Sequence, residues 1–471
     1  MIDYKKIGFK CGLEIHQRLQ THKLFCNCPS LLRDDKPSFT IKRKLRAVAG
    51  ESGEVDIAAK HEHEKDLEFF YEGYSDTTCL VELDETPPES LNQEALKIVI
   101  QIALLLNCKV LDEIIFMRKT VIDGSNTSGF QRTGLLAVNG YIETTKGRVR
   151  IATINLEEEA AKNIKETNNN RIWRLDRLGI PLVEIQTDAD IKDPEHAKET
   201  AEKIGMLVRS TGKVMRGIGS IRQDVNLSIE GHPRIEIKGF QDIRALTKTI
   251  EYEVFRQEQL IKDNKVSKGE VRKANPDFTT SFLRPLPGSA RLYPETDLPI
   301  YKIPRSLVKS IDLPEPINDK IKRFEKQYSL SKDLASLIID NTNFENLIKK
   351  FKNISPSIIA QTLTLTLKDL ETRLDLDISR LNDLDIEEIL SYLDENKISK
   401  EAIPELLTKK IKNEKINLDH FKTASEQEVL NKIKELKKDK SLTDNAIMGM
   451  LMKEYRGKID GKRLMELIKK G

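Results

Sequence analysis

Long apolar runs are missing from this chain of 471 residues. The best candidate, IVIQIALLL at 98–106, is far shorter than the roughly 20 residues that a membrane-spanning helix needs. The amino terminus MIDYKKIGFK has neither the apolar stretch nor the small-residue cleavage site of a secretory leader, so the expected location is the cytoplasm. Cysteine is scarce. Five thiols, an odd number, exclude a disulfide framework and suit a reducing compartment. Neither common phosphate signature is present: no G-x-x-x-x-G-K-[ST] run, and no G-x-G-x-x-G between a strand and a helix. There is no internal repeat and no low-complexity tail.

What remains is 38% hydrophobic and 32% charged, enough to bury real cores and stay in solution, and the length suits two to four domains. The net charge of +3 is unevenly spread. Residues 401–471 hold 17 Lys and Arg against 12 Asp and Glu, which leaves the rest at −2. A mildly basic carboxyl-terminal module fits a polyanion partner, and it fits a solvated lysine-rich helical surface equally well.

Up to about residue 300 the pattern is α+β. RVRIATINLE, IPLVEIQT, DVNLSI and RIEIK alternate as strands do, and two helices interrupt them. One is DPEHAKETAEKIGMLVRSTG, with Asp193 as N-cap, Pro194 in the first turn and Gly212 past the end; the other is DIRALTKTIEYEVFRQEQLI. The stretch from Asn264 to Pro299 gathers Gly and Pro without sustained periodicity and reads as a long loop. Beyond Pro304 the spacing is helical. The division expected is an antiparallel-strand domain at 1–304, a helical domain at 305–405 and a small tail domain at 406–471.

In CGLEIHQRL, Glu14 and His16 stand two apart, so on a strand they emerge side by side. Two ligands of one ion are presented that way, and so is a polar pair on a wet face. INLEEEAAK sets Glu157, Glu158 and Glu159 at a strand end, Glu184 interrupts an apolar strand, and Asp224, Glu236 and Lys238 fall on two neighbouring strands. Each carboxylate alone reads as an ion-paired strand residue. Gathered in one domain they form an oxygen-rich cation site, suited to Mg2+ or Mn2+ rather than to a soft metal. Candidates to handle phosphate are Arg118, Lys119, Ser125, Thr127, Ser128 and Arg132 in FMRKTVIDGSNTSGFQRTG, with Ser220 and Arg222 in GIGSIRQD. Cys26 and Cys28 with the distant Cys79 are three thiols toward a structural Zn2+, with Glu82 as a candidate fourth ligand.

GLEIHQRLQTHKLFCNCP, VIDGSNTSGFQRT, LEEEAAK, RLGIPLVEI, GSIRQDVNLSI, EIKGFQDI, FLRPLPGSARLYPETDLP and IMGMLMKEYRGKIDGK run in order along nearly the whole chain. Together they resemble the GatB/GatE family of tRNA-dependent amidotransferase subunits, and its archaeal GatE branch more closely than the bacterial and organellar GatB branch. The resemblance implies a cradle-shaped catalytic domain, a helical domain and a tail related to the YqeY family. It implies that ATP phosphorylates the γ-carboxylate of glutamate misacylated on tRNA(Gln), after which ammonia displaces the phosphate. The ammonia would come from an asparaginase-like GatD partner, in a heterotetramer of two of each chain.

By the same resemblance His16, Glu158 and Glu184 would hold Mg2+ with Glu14 beside them. Lys119 and Lys238 would neutralise phosphate charge, and Asp224 and Glu236 would position metal or substrate. Lys453, Arg456, Lys458 and Lys462 would meet the tRNA elbow. Three features depart from the family: Glu159 stands where Asp is expected, the four-thiol pattern is incomplete, and only about twenty residues span the place where the GatE branch carries a large inserted domain. A GatB-like subunit working with an amidase, and a non-catalytic tRNA-binding scaffold, are the competing readings.

Overall fold

The computed structural model describes residues 2–470 except 48, 50–52, 168, 218, 241, 267, 289, 290, 340, 342, 413, 415, 422–425, 439–441 and 456–460. The chain forms two compact units, Met1–Pro314 and Glu315–Gly471. No helix of the described residues is long and apolar enough to cross a membrane.

The first unit is built on an 11-stranded sheet. Its strands lie in the order 280–285, 270–274, 235–240, 221–228, 10–18, 181–187, 147–158, 130–144, 116–120 and 292–294, with 109–110 attached to 130–144. Every pairing is antiparallel except 235–240 with 270–274. Alternation along the strands sends Leu13, Ile15, Val183, Ile185, Val225, Leu227, Ile235 and Ile237 into one core. Helices Gln93–Leu105, Pro194–Ser210 and Arg244–Lys262 add their apolar faces to it.

Local signals place these helices. Asp193 accepts from the His196 amide at 2.9 Å and Pro194 opens the first turn. Gly212 follows with a φ of +67°. Leu307, Val308 and Ile311 also pack on the sheet core, so the first unit continues past residue 304.

Strands 39–43, 68–73, 170–174 and 162–166 make a separate sheet with a small core around Phe69, Tyr71 and Trp173. The Asp123–Gly129 loop lies against it. At Gly124, where φ is +91°, a Cβ would sit 2.2 Å from the Phe69 ring, so only glycine fits.

The stretch from Asn264 to Pro299, expected as loop, contains strands Glu270–Ala274, Thr280–Pro285 and Leu292–Pro294. Each is short and charged or proline-bearing. Pairing with the sheet, rather than its own periodicity, holds each extended.

Among its described residues the second unit is helical. One core runs from Phe324 to Phe421 and another from Val429 to Ile468. Ile403, Leu406, Leu407 and Ile411 belong to the first of these, so residue 405 falls inside a helix packed with what precedes it. The Lys453 backbone is helical, whereas Arg456, Lys458 and the Lys462 side chain lie outside the described residues.

Candidate functional site

With Leu13 and Ile15 in the core, the same alternation turns Glu14 and His16 to the opposite face of the sheet. Register then fills in the neighbours. Glu14 stands opposite Gln186 on one side and Asp224 on the other; His16 stands opposite Glu184 and Arg222. Outward from these come Glu157 and Asn155, then Lys119 on one side, and Glu236 with Lys238 on the other. All of them but Asn155, which donates to Glu184 from behind, line a cavity of about 550 Å³. Its rim carries Asp123, Ser125 and Asn126 from the glycine-bearing loop, and Arg284 and Arg291 from the 280–294 segment.

Glu184 is 3% exposed, and a carboxylate there is tolerable only with partners. Asn155 Nδ2 donates to it at 2.9 Å and Gln186 Nε2 at 3.0 Å. Lys119 Nζ is 3.8 Å away and His16 Nε2 3.6 Å. Burial opposes ionisation, but Lys119 and the His16 contact outweigh it and hold the Glu184 carboxyl well below the usual range. For His16, burial works against protonation, while the Glu184 hydrogen bond and the charges of Glu184, Glu157 and Asp224 raise its pKa overall. Glu157 touches both cations, at 3.7 Å from His16 Nε2 and 3.1 Å from Lys119 Nζ.

Asp224 accepts from Lys238 Nζ at 2.6 Å, and Lys238 also pairs with Glu236. Burial disfavours the Lys238 charge, yet Asp224, Glu236 and Glu14 raise its pKa overall. Glu14 goes the other way. Burial pushes its carboxyl up, Lys238 lowers it in part, and repulsion from Glu236, Glu184 and Asp224 adds to the rise. A divalent cation would relieve that repulsion. Two trios have ligand atoms within 4.8 Å of one another, Glu14 with His16 and Glu184, and Glu14 with Asp224 and Glu236. The donors are oxygens and one imidazole, which fits Mg2+.

Of the residues nominated from sequence, Glu14, His16, Lys119, Ser125, Glu184, Arg222, Asp224, Glu236 and Lys238 therefore line one cavity. Arg118, Ser128, Arg132, Glu158 and Ser220 do not line it. Glu158 follows Glu157 on its strand and points to the other face, where Arg132 NH1 lies 3.4 Å away. The side chain that reaches His16 is that of Glu157, so the expectation that Glu158 shares ligands with His16 and Glu184 is corrected by the phase of the strand. Arg132 and Arg118 are joined through buried Glu295, at 2.7 and 2.5 Å, and Arg118 stacks on Phe130. Ser128 and Ser220 hydroxyls donate to the carbonyls of Phe130 and Gly217. Arg222 lines the cavity but is bound to Glu159 at 2.7 Å.

A second cluster lies in the same unit. Cys26, Cys28, Cys79 and Glu82 bring four ligand atoms within 4.8 Å of one another. Cys26 Sγ donates to Glu82 Oε1 at 2.8 Å, and the Cys79 amide donates to Oε2 at 2.7 Å. Fully buried Lys23 pairs with the same carboxylate at 3.3 Å and donates to the carbonyls of Thr77 and Leu175. The neighbouring Cys26 thiol is the main influence that brings the Cys28 thiol down to about 7. Three sulfurs and a carboxylate are a donor set that a tetrahedral metal accepts.

Sequence reasoning left Arg234, Arg284, Arg291, Asp123 and Asn126 out of the cavity lining. For Arg284 and Arg291 the only available signal was FLRPLPGSARLYPETDLP, whose strands do not show in its periodicity.

Residues 9–309 match the GatB/GatE catalytic domain family and residues 342–471 the GatB domain family. The chain is 37% identical to the E-type subunit of glutamyl-tRNA(Gln) amidotransferase from Methanocaldococcus jannaschii, covering 100% of this chain and 99% of that one. It is 36% identical to the protein of the same description from Archaeoglobus fulgidus, with the same coverage, and 35% identical to that of Methanosarcina barkeri over 99% and 98%. The M. jannaschii match runs over 627 positions against 471 residues here, so 156 of them have no counterpart in this chain.

Proposed function

This chain belongs to the GatB/GatE family, as a tRNA-dependent amidotransferase subunit of the archaeal GatE kind, and from that premise we propose that it is the kinase and transamidase of the complex. ATP and Glu-tRNA(Gln) are its substrates. A γ-carboxylate oxygen attacks the γ-phosphorus and ADP leaves. Ammonia then bonds to the acyl carbon as the carbon–oxygen bond to phosphate breaks, and the proton it sheds has acceptors among the carboxylates of the same face. A carboxylate is a poor electrophile, and the phosphate makes it a good one.

The observation that carries this reading is the sheet face itself. Neighbouring strands present carboxylates, an imidazole and two ammonium groups into one cavity, with no covalent nucleophile among them. Phosphoryl transfer needs positioning and charge neutralisation above all. His16, Glu184 and Glu14, with Glu157 beside them, would hold a Mg2+ that would supply such neutralisation for the phosphates. Lys119 and Lys238 carry the fixed positive charges, and Asp224 and Glu236 hold Lys238 in place. Cys26, Cys28, Cys79 and Glu82 would hold a structural Zn2+.

The ammonia comes from an asparaginase-like GatD partner, in a heterotetramer of two of each chain. The basic tail meets the tRNA elbow through phosphates, and the complex works in the cytoplasm. The test is transfer of labelled γ-phosphate from ATP with the purified chain, Glu-tRNA(Gln) and an ammonium salt. Formation of Gln-tRNA(Gln) with tRNA-dependent ADP release is expected. Binding of tRNA with no tRNA-dependent ATP consumption would replace this reading with a scaffold.

A further inference from the structure

The sequence offered Arg118, Arg132 and Arg222 to hold phosphate, and the structure gives all three to carboxylates. Arg18 pairs with Glu159 as well. Lys119 and Lys238 are likewise each held by two acids. A polyanion entering this cavity therefore meets few cations not already neutralised.

Arg284 and Arg291 are different. Both line the cavity and both are half-buried, and among the described residues neither has a carboxylate within 4.0 Å. Arg291 Nε donates to the Thr120 carbonyl at 3.4 Å, and Arg284 NH1 to the Pro285 carbonyl at 3.3 Å, which leaves most of their hydrogens unused. Burial lowers the Arg291 pKa, the neighbouring Arg284 charge lowers it further, and the more distant charges of Glu236, Asp56 and Glu157 offset this only in part. Two guanidiniums that repel one another in a partly dry wall are stabilised by a bound anion. Arg291 also lies near enough to Lys119, across the same cavity, for its charge to oppose that of the lysine.

We propose that Arg284 and Arg291 clamp the phosphate chain of a nucleoside triphosphate in this cavity, in the role that a glycine-rich phosphate loop plays elsewhere. The proposal rests on the ATP-dependent reading above. The cavity is of single-nucleotide size, and the two arginines line it from strand Thr280–Pro285 and from the residue just before strand Leu292–Pro294. Contacts to the tRNA backbone would instead call for an exposed basic track. Planar, forked donors suit two oxygens of one phosphate or of adjacent ones.

The test is equilibrium binding to the full chain with Mg2+, using ATP, inorganic triphosphate and adenosine as probes, for wild type, Arg284→Gln, Arg291→Gln, the double variant and Arg291→Lys. Each glutamine variant is expected to weaken ATP and triphosphate about tenfold or more, with adenosine unchanged, and the lysine variant to recover part of the loss. Affinity for tRNA stays as in wild type. Unchanged ATP and triphosphate affinity in a double variant that melts like wild type overturns the clamp, and so does a loss confined to tRNA. A wild type that binds no ATP overturns the kinase reading itself, which is a separate outcome. Should Arg291→Gln fail to fold, Arg284→Gln and Arg291→Lys carry the same comparison.

Discussion

Glu157 and Glu158 are neighbours of identical chemistry on opposite faces of one strand, so exchanging each for glutamine isolates the site from its surroundings. Glu157 lies 3.7 Å from His16 Nε2 and 3.1 Å from Lys119 Nζ. Unit charges at such separations attract by about 4 kcal/mol at an effective dielectric near 20. Glutamine keeps the shape and one hydrogen bond, so about half of that is lost, or ~2 kcal/mol, roughly thirtyfold in kcat/KM. Glu158→Gln leaves Arg132 a neutral acceptor in place of a charge, and Arg132 keeps Glu295 at 2.7 Å. The effect of this substitution falls on stability and is small, because burial outweighs Arg132 and already raises the Glu158 pKa, while the rate stays nearly intact. The assay is tRNA-dependent ADP release with ammonium as nitrogen donor, paired with thermal melting. A rate lost in Glu158→Gln and retained in Glu157→Gln would refute the strand phase and the site built on it.

Three further outcomes are expected. The purified chain carries about one zinc by metal analysis, and Glu82→Ala or Cys28→Ser lowers both zinc content and melting temperature; a metal-free wild type that melts unchanged after chelation counts against the site. Removing residues 422–471 spares the helical core that ends at Phe421, weakens tRNA binding, and leaves ATP binding unaltered, as filter binding and calorimetry would read. Burial raises the Glu199 carboxyl, but hydrogen bonds from Thr145 and Lys203 outweigh it and bring it from 4.5 to about 2. A folded pKa below the unfolded one gives stability that is full above 4.5 and lost as pH falls toward 2. The melting difference between wild type and Glu199→Gln is therefore constant near neutrality and closes across that window, whereas a gap that widened with acid would reverse the assignment.

The alternating strands, the Asp193 cap and the acids of the cavity were legible because each depends on neighbours in sequence. The choice among the three glutamates was not. Alternation fixes which residues share a face, but only packing against the helices decides which face is dry. Arg132 was read as a phosphate ligand because its partner, Glu295, is 163 residues away. Glu82 was visible as a candidate, yet Cys26 meets it only through a contact across 56 positions. Arg284 and Arg291 were hidden by strands that the sheet imposes on a charged, proline-bearing segment. That this chain is shorter than its relatives could be read directly, since length is independent of fold.

The period-two layout also determines which genetic lesions this protein survives. Removing a single codon inside residues 10–18 would shift every later side chain of that strand by one place, exchanging Leu13 and Ile15 with Glu14 and His16 between core and cavity. The turn between Ala274 and Thr280, at the rim of the sheet, has no such phase to keep. A one-codon deletion is therefore expected to be ruinous in the inner strands and far better tolerated at the outermost hairpin.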